Sequence, residues 1–205
     1  MMAAGGKVIG LDFDNTIVSY EKVYRFLAHS HGVTVNTGLS AKNALRDHLK
    51  KLGREAEFTR LQGEVYGPGM RQAEPYPGFT EFCKAATGRG WEILVISHRT
   101  RRPLAGTAHD LHQAARDWMD DLGFGALGIR EAHFEETKEA KVARIRSAGC
   151  RVFIDDLPEI LSHPEFPPEC GRFLFAAGVG DPDPRRDYPA GGWKEAAIWL
   201  TENNQ

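Results

Sequence analysis

Four short apolar runs, the first three closed by a polar residue, constrain the fold of this chain most. They occupy residues 7–13, 91–96, 152–154 and 173–176. Continuous apolar runs of this length suit parallel strands covered on both faces. Helical patterns separate them. Phe79, Phe82 and Ala86 repeat at helical spacing over 78–87. Leu111, Ala115, Trp118, Met119 and Leu122 do so over 109–122, and Val142 and Ile145 over 138–148, where Thr137 suits an N-cap. A last helical pattern runs from Trp193 to Leu200. Strand alternating with helix predicts an α/β fold, a doubly wound parallel sheet.

Residues 17–75 break that rhythm. They hold helical patterns at 20–29, 41–52 and 55–66, punctuated by Gly53 and by Gly67-Pro68-Gly69, and no convincing strand run. The expected organisation is therefore a sheet domain from residues 1–16 and 76–205, with residues 17–75 as a small helical domain inserted after the first strand. Residues 178–192, rich in Gly, Pro, Asp and Arg, read as a surface loop.

Composition narrows the class. Of 205 residues 41% are hydrophobic, enough for a real core. No stretch approaches the ~18 apolar residues of a membrane helix, and the N-terminus lacks a secretory pattern. Cys83, Cys150 and Cys170 are too few and too scattered for a disulfide framework or a zinc site. These features lead us to expect a cytoplasmic protein without a membrane partner. A net charge of −2 argues against a nucleic-acid coat. Oligomeric state is left open by the sequence.

The chemistry concentrates at the strand ends. Asp12 and Asp14 close the first run, with Thr16 just beyond. Alternation along a strand would send the two acids apart, so the chain must turn for both to serve one site; Asn15 and Thr16 suit a turn. Asp155-Asp156 closes the third run. A turn or a helix cap accounts for either pair alone. Two central parallel strands, however, would bring both pairs to one sheet edge. Crowded carboxylates repel and call for a cation, and an oxygen-rich site of this kind suits Mg²⁺. Ser97 closes the second run, where a hydroxyl and free N–H groups can hold a phosphate oxygen. A lysine opening a helix, Lys138 or Lys141, completes a set able to grip a phosphoryl group and a metal.

This ordered set resembles the haloacid dehalogenase-like (HAD) superfamily. Asp12-Phe13-Asp14-Asn15-Thr16 matches its first motif, Ser97 its second, Lys138 or Lys141 its third and Asp155-Asp156 its fourth, over roughly residues 7–176. The inserted segment stands where this superfamily places a helical cap of the C1 type. The resemblance implies an aspartyl-phosphate mechanism, with Asp12 as nucleophile and Asp14 as general acid and base. It implies Mg²⁺ held by Asp12, the Asp14 backbone carbonyl and Asp156, with Asp155 behind them or reaching the metal through water. Thr16, Ser97, His98 and the lysine would contact the phosphoryl group. Lys138 stands at the expected helix opening and Lys141 one turn on. Arg99, Tyr20 and Arg25 are further candidates for substrate contact. The acid at position 14 favours phosphate-ester hydrolysis over dehalogenation.

The resulting expectation is a Mg²⁺-dependent phosphatase for a small phosphorylated metabolite, such as a sugar phosphate. A phosphotransferase or mutase using the same intermediate is the alternative within enzymes. A non-catalytic phosphate-binding or signalling protein is the alternative outside them. The charge divides in keeping with an anionic substrate: residues 17–75 carry nine Lys and Arg against six Asp and Glu, which leaves the remainder acidic.

Overall fold

The computed structural model describes residues 6–36, 38–176 and 187–203. Its centre is a six-stranded sheet, every strand parallel to its neighbours. The chain runs through β1 (Val8–Leu11), β2 (Val18–Ser19), α1 (Glu21–Ser30), α2 (Ala41–Lys51), α3 (Glu55–Tyr66) and β3 (Glu74–Pro75). It continues through α4 (Phe79–Thr87), β4 (Glu92–His98), α5 (Leu111–Asp121), β5 (Ile129–Glu135), α6 (Lys138–Ser147) and β6 (Val152–Asp155). The last elements are α7 (Pro158–Leu161), β7 (Gly171–Phe175), β8 (Ala190–Gly191) and α8 (Trp193–Asn203).

Sheet order is β5-β4-β1-β6-β7-β8. The four apolar runs are thus the four inner strands. Successive crossovers go from β1 outward to β4 and β5, then return to β6 on the other flank of β1. That reversal makes the C-terminal ends of β1 and β6 a topological switch point, where open α/β sheets bind ligands.

Both sheet faces are covered, as the unbroken apolar runs require. One cluster joins Ile96 and Phe153 from the strands to Val142 and Ile145 of α6 and to Ile160 and Leu161 of α7. Elsewhere Trp193 of α8 meets Phe82 at 4.8 Å, Phe79 at 5.2 Å and Phe175 at 5.0 Å. Thr137 caps α6 as its sequence suggested, accepting the Ala140 N–H at 3.1 Å.

Four strands were not foreseen. β2 and β3, two residues each, pair with one another at the two ends of the segment read as wholly helical; runs that short leave no periodicity to read. β5 was hidden because it is an edge strand: its charged residues Arg130 and Glu131 are exposed, so no apolar run marks it. β8 falls within the stretch read as a loop, most of which (178–186) lies outside the described residues.

The chain divides into two compact units. One comprises residues 1–17, 75–99 and 123–205, and contains the large sheet. The other comprises residues 18–74 and 100–122. The second unit holds β2, α1, α2 and α3, and it also takes α5, which the sequence assigned to the sheet domain. Contacts within the unit explain this. Trp118 of α5 is buried and its indole N–H donates to the Ala73 carbonyl at 3.1 Å. Gly63 of α3 lies so close to Pro103 that an added Cβ would come within 2.8 Å of it. No helix among the described residues is long and apolar enough to cross a membrane.

Candidate active site

Parallel register sets the site. Leu11 pairs with Val95 on one side and with Ile154 on the other. The next residue, Asp12, therefore emerges between the ends of β4 and β6, and its N–H donates to the Ile154 carbonyl at 2.9 Å. The chain then turns at Asn15, whose φ of 62° is the left-handed conformation that Asn tolerates better than most residues. Ile17 N–H closes the turn on the Phe13 carbonyl at 3.0 Å.

Four sequence segments converge on Asp12. Ser97, at the end of β4, donates its hydroxyl to Oδ1 at 2.9 Å. Lys141 reaches the same oxygen at 2.5 Å and Asp155 Oδ2 at 2.7 Å. Thr16 Oγ1 lies 3.1 Å from Asp12 Oδ2 and 3.4 Å from Asp156 Oδ1, and accepts the Asp156 N–H at 3.1 Å. Asp12, Thr16, Ser97, Lys141 and Asp155 are all buried. Asp155 Oδ1 also accepts the Leu157 N–H at 2.9 Å, which joins the site to the start of α7.

Burial and crowding shift the titrating groups. Burial, with Asp12 adding repulsion, pushes the Asp155 carboxyl up to about 7. Burial, then the charges of Asp12 and Asp155, holds Asp156 well above the usual carboxylate range. Burial works against the Lys141 ammonium, yet Asp12 and Asp155 outweigh it and raise its pKa above the ordinary lysine value.

A divalent cation fits this set. Asp12, Asp155 and Asp156 each offer a carboxylate oxygen, all within 4.8 Å of one another. Asp12, Asp14, Asp155 and Asp156 stand against two cationic partners, Lys141 and Arg99, leaving two formal negative charges. Hard oxygen donors around such an excess suit Mg²⁺.

Not every candidate joins the cluster. Lys138 does not: its ammonium sits at the surface and pairs with Glu159 at 2.5 Å. Lys141 takes the place instead. Helical side chains lean toward the N-terminus, so a lysine one turn inside α6 reaches back to the strand ends. Thr16 is buried and bridges Asp12 to Asp156, which makes it a tie between the two acid-bearing loops rather than an open phosphate ligand. Asp14 turns its carboxylate to Arg99, whose Nη1 lies 2.5 and 2.7 Å from its two oxygens. Its side chain is outside the metal-capable trio. His98 ends β4 in register with Glu135 and is partly buried.

Tyr20 and Arg25 belong to the helical unit and are engaged there. The Tyr20 hydroxyl meets the Met70 sulfur at 3.0 Å, and its ring packs edge-on against Tyr66. Arg25 pairs with Glu21 at 2.8 Å and reaches the Val35 and Leu39 carbonyls. The Arg99–Asp14 pair is the feature sequence reasoning missed. Its only sequence signal was a basic residue two positions after the strand-ending serine.

No protein-family model matches the chain, and no curated protein sequence does. Solved structures do. A predicted phosphoglycolate phosphatase from Haemophilus somnus superposes with a TM-score of 0.60 at 14% identity, covering 98% of this chain and 100% of the other. A haloacid dehalogenase-like family hydrolase from Streptococcus pneumoniae gives 0.56 at 11% identity, covering 97% and 100%. An L-2-haloacid dehalogenase gives 0.55 at 12%, covering 97% and 100%. Proteins named for different reactions thus share this architecture, so the likeness speaks for the fold and the chemistry must be argued from the site. On topology, extent of match and placement of the acids, this chain carries the haloacid dehalogenase-like fold.

Proposed function

We propose that the chain is a Mg²⁺-dependent phosphatase acting on a small phosphorylated metabolite. The observation that carries this reading is the double engagement of Lys141, which pairs with Asp12 and Asp155 at once while Ser97 donates to Asp12. This joins a nucleophile, a metal-capable acid and two phosphate-binding donors in one buried cluster.

In this reading an oxygen of Asp12 attacks phosphorus, the bond to the leaving oxygen breaks, and an aspartyl-phosphate forms. Asp14 gives its proton to the departing oxygen. It then takes a proton from the water whose oxygen attacks phosphorus, which releases inorganic phosphate and restores Asp12. Ser97 and Lys141, already beside Asp12, receive the phosphoryl oxygens. Asp12, Asp155, Asp156 and the Asp14 carbonyl would hold Mg²⁺, which offsets repulsion between carboxylate and phosphate. An acid at position 14 favours hydrolysis over dehalogenation. The resemblance assigns the helical insertion to a cap, which favours a small substrate over a macromolecule.

The test is hydrolysis of p-nitrophenyl phosphate with Mg²⁺, followed as inorganic phosphate. Asp12→Asn is expected to abolish it, and chelation of the metal to suppress it. Full activity in Asp12→Asn would sink the mechanism. Phosphate appearing on an added sugar instead of in solution would make the protein a phosphotransferase.

A further inference from the structure

Arg99 stood among the residues expected to touch substrate. Its surroundings give it another task. The side chain is only 2% exposed, against 20% for Asp14, and Nη1 straddles both Asp14 oxygens at 2.5 and 2.7 Å. The Arg99 N–H donates to the Glu135 carbonyl at 2.8 Å, which fixes its backbone to the end of β5. The guanidinium lies 5.7 Å from the Phe13 ring centre, and that fully buried ring packs edge-on against Phe134 at 5.5 Å. Asp14 stands just before the turn of residues 15–17, and its carboxyl is met by Arg99 at both oxygens. A buried cation anchored on two strands and set across both oxygens fixes the orientation of that carboxyl.

We propose that Arg99 is the positioning residue for Asp14: it holds the carboxyl at one orientation, aimed at the leaving oxygen and then at the attacking water. The proposal rests on the phosphatase reading above. An acid that donates to an ester oxygen and later accepts from water at the same phosphorus must point to nearly the same place in both steps. An error of about 1 Å in such a group costs on the order of 100-fold. Arg99 acts through Asp14, whose carboxyl oxygens it contacts, and not on the substrate.

Leaving-group dependence tests this directly. An alkyl phosphate needs a proton on its departing oxygen, whereas 2,4-dinitrophenyl phosphate expels a stable anion with little help. Values of kcat/KM report formation of the phosphoryl-enzyme, the step in which that proton is given. Arg99→Met is expected to lower kcat/KM for glycerol phosphate about 100-fold, within the range that general acids supply. For the dinitrophenyl ester the loss is expected to be only a few-fold. Arg99→Lys, which keeps a cation beside Asp14, is expected to recover part of the loss on the alkyl ester. With Asp14→Asn as background, Arg99→Met is expected to remove little more, because the group it positions is already disabled. Melting curves identify any variant that has merely unfolded, and Arg99→Lys then carries the comparison.

Equal losses on both esters would overturn the role of Arg99 while leaving the phosphatase reading intact. So would a loss that adds in full to that of Asp14→Asn, since it would place Arg99 on the substrate. A wild-type protein inert toward every ester would overturn the phosphatase reading, and this role with it.

Discussion

Lys141 and Lys138 lie three residues apart on one helix and have opposite circumstances. Lys141 pairs with two buried carboxylates at once, whereas Lys138 makes a single ion pair with Glu159 at the surface. Removing one partner of a buried charge cluster leaves uncompensated charge and costs about 3–5 kcal/mol, while an exposed pair is worth about 0–1 kcal/mol. Lys141→Met is therefore expected to destabilise the protein by several kcal/mol in urea denaturation. Lys138→Met is expected to stay within about 0.5 kcal/mol of wild type. Comparable losses in the two variants would contradict this assignment. The sequence left the choice open for a physical reason. Both lysines lie within one turn of α6, so periodicity alone does not separate them. What separates them is how far the side chain reaches back along the helix axis to the sheet edge, a tertiary distance. The acids were different: a carboxylate ending a buried apolar run emerges at a strand terminus, so although a turn or cap explains either pair alone, Asp12, Asp155 and Asp156 could be placed at one sheet edge once both pairs were read together.

Among the elements, the inner strands declared themselves because both their faces are apolar. β5 did not, since an edge strand shows water one of its sides. α5 was legible as a helix but not as a member of the helical unit, because that depends on Trp118 meeting Ala73 across 45 residues of chain. The inner strands also carry a constraint that no periodicity reveals. Gly10 sits mid-strand in β1, and a Cβ there would come within 2.5 Å of the Phe153 ring and 2.9 Å of the Cys150 sulfur. Both neighbours are buried, so neither has room to retreat. Gly10→Ala is expected to cost about 1–3 kcal/mol by overpacking, read as a lower urea midpoint with an unchanged slope. Adding Phe153→Leu should return part of the loss by making room for the methyl group. A Gly10→Ala protein as stable as wild type would mean that β1 and β6 can separate without penalty. It would also mean that the spacing of Asp12 and Asp155, which those strands fix, is looser than their pairing implies.

At the scale of the whole molecule, the charge balance changes once α5 joins the insertion. Residues 18–74 and 100–122 together hold twelve Lys and Arg against ten Asp and Glu, so the helical unit is only slightly basic. The electrostatic weight of the protein lies instead in the buried carboxylates at the sheet edge, and its sign can be worked out. Burial, joined by the charge of Asp12, raises the Asp155 carboxyl to about 7, and Asp156 moves the same way. Between about pH 4 and pH 7 the folded, metal-free protein therefore keeps protons that the unfolded chain has released. The stability tied to these groups is present at the acid end and is lost as pH rises through about 7. Lys141, with its pKa raised, stays charged throughout this range. The lowered carboxyls of Glu57, Asp110 and Glu139 act in the opposite sense, but below this window. A divalent cation held by these acids would reverse the penalty, because it would bind the deprotonated carboxylates and compete with their protons. At a concentration about 100 times its Kd, Mg²⁺ should contribute about 2.7 kcal/mol. In a chain of this size that amounts to roughly 5–10 °C in Tm at about pH 8. At about pH 5 the gain should be small, and Asp156→Asn should reduce it at both values. A shift of the same size at both pH values would separate the cation from these carboxylates. It would then have to bind elsewhere on the molecule, and the trio of Asp12, Asp155 and Asp156 would lose its claim to hold it.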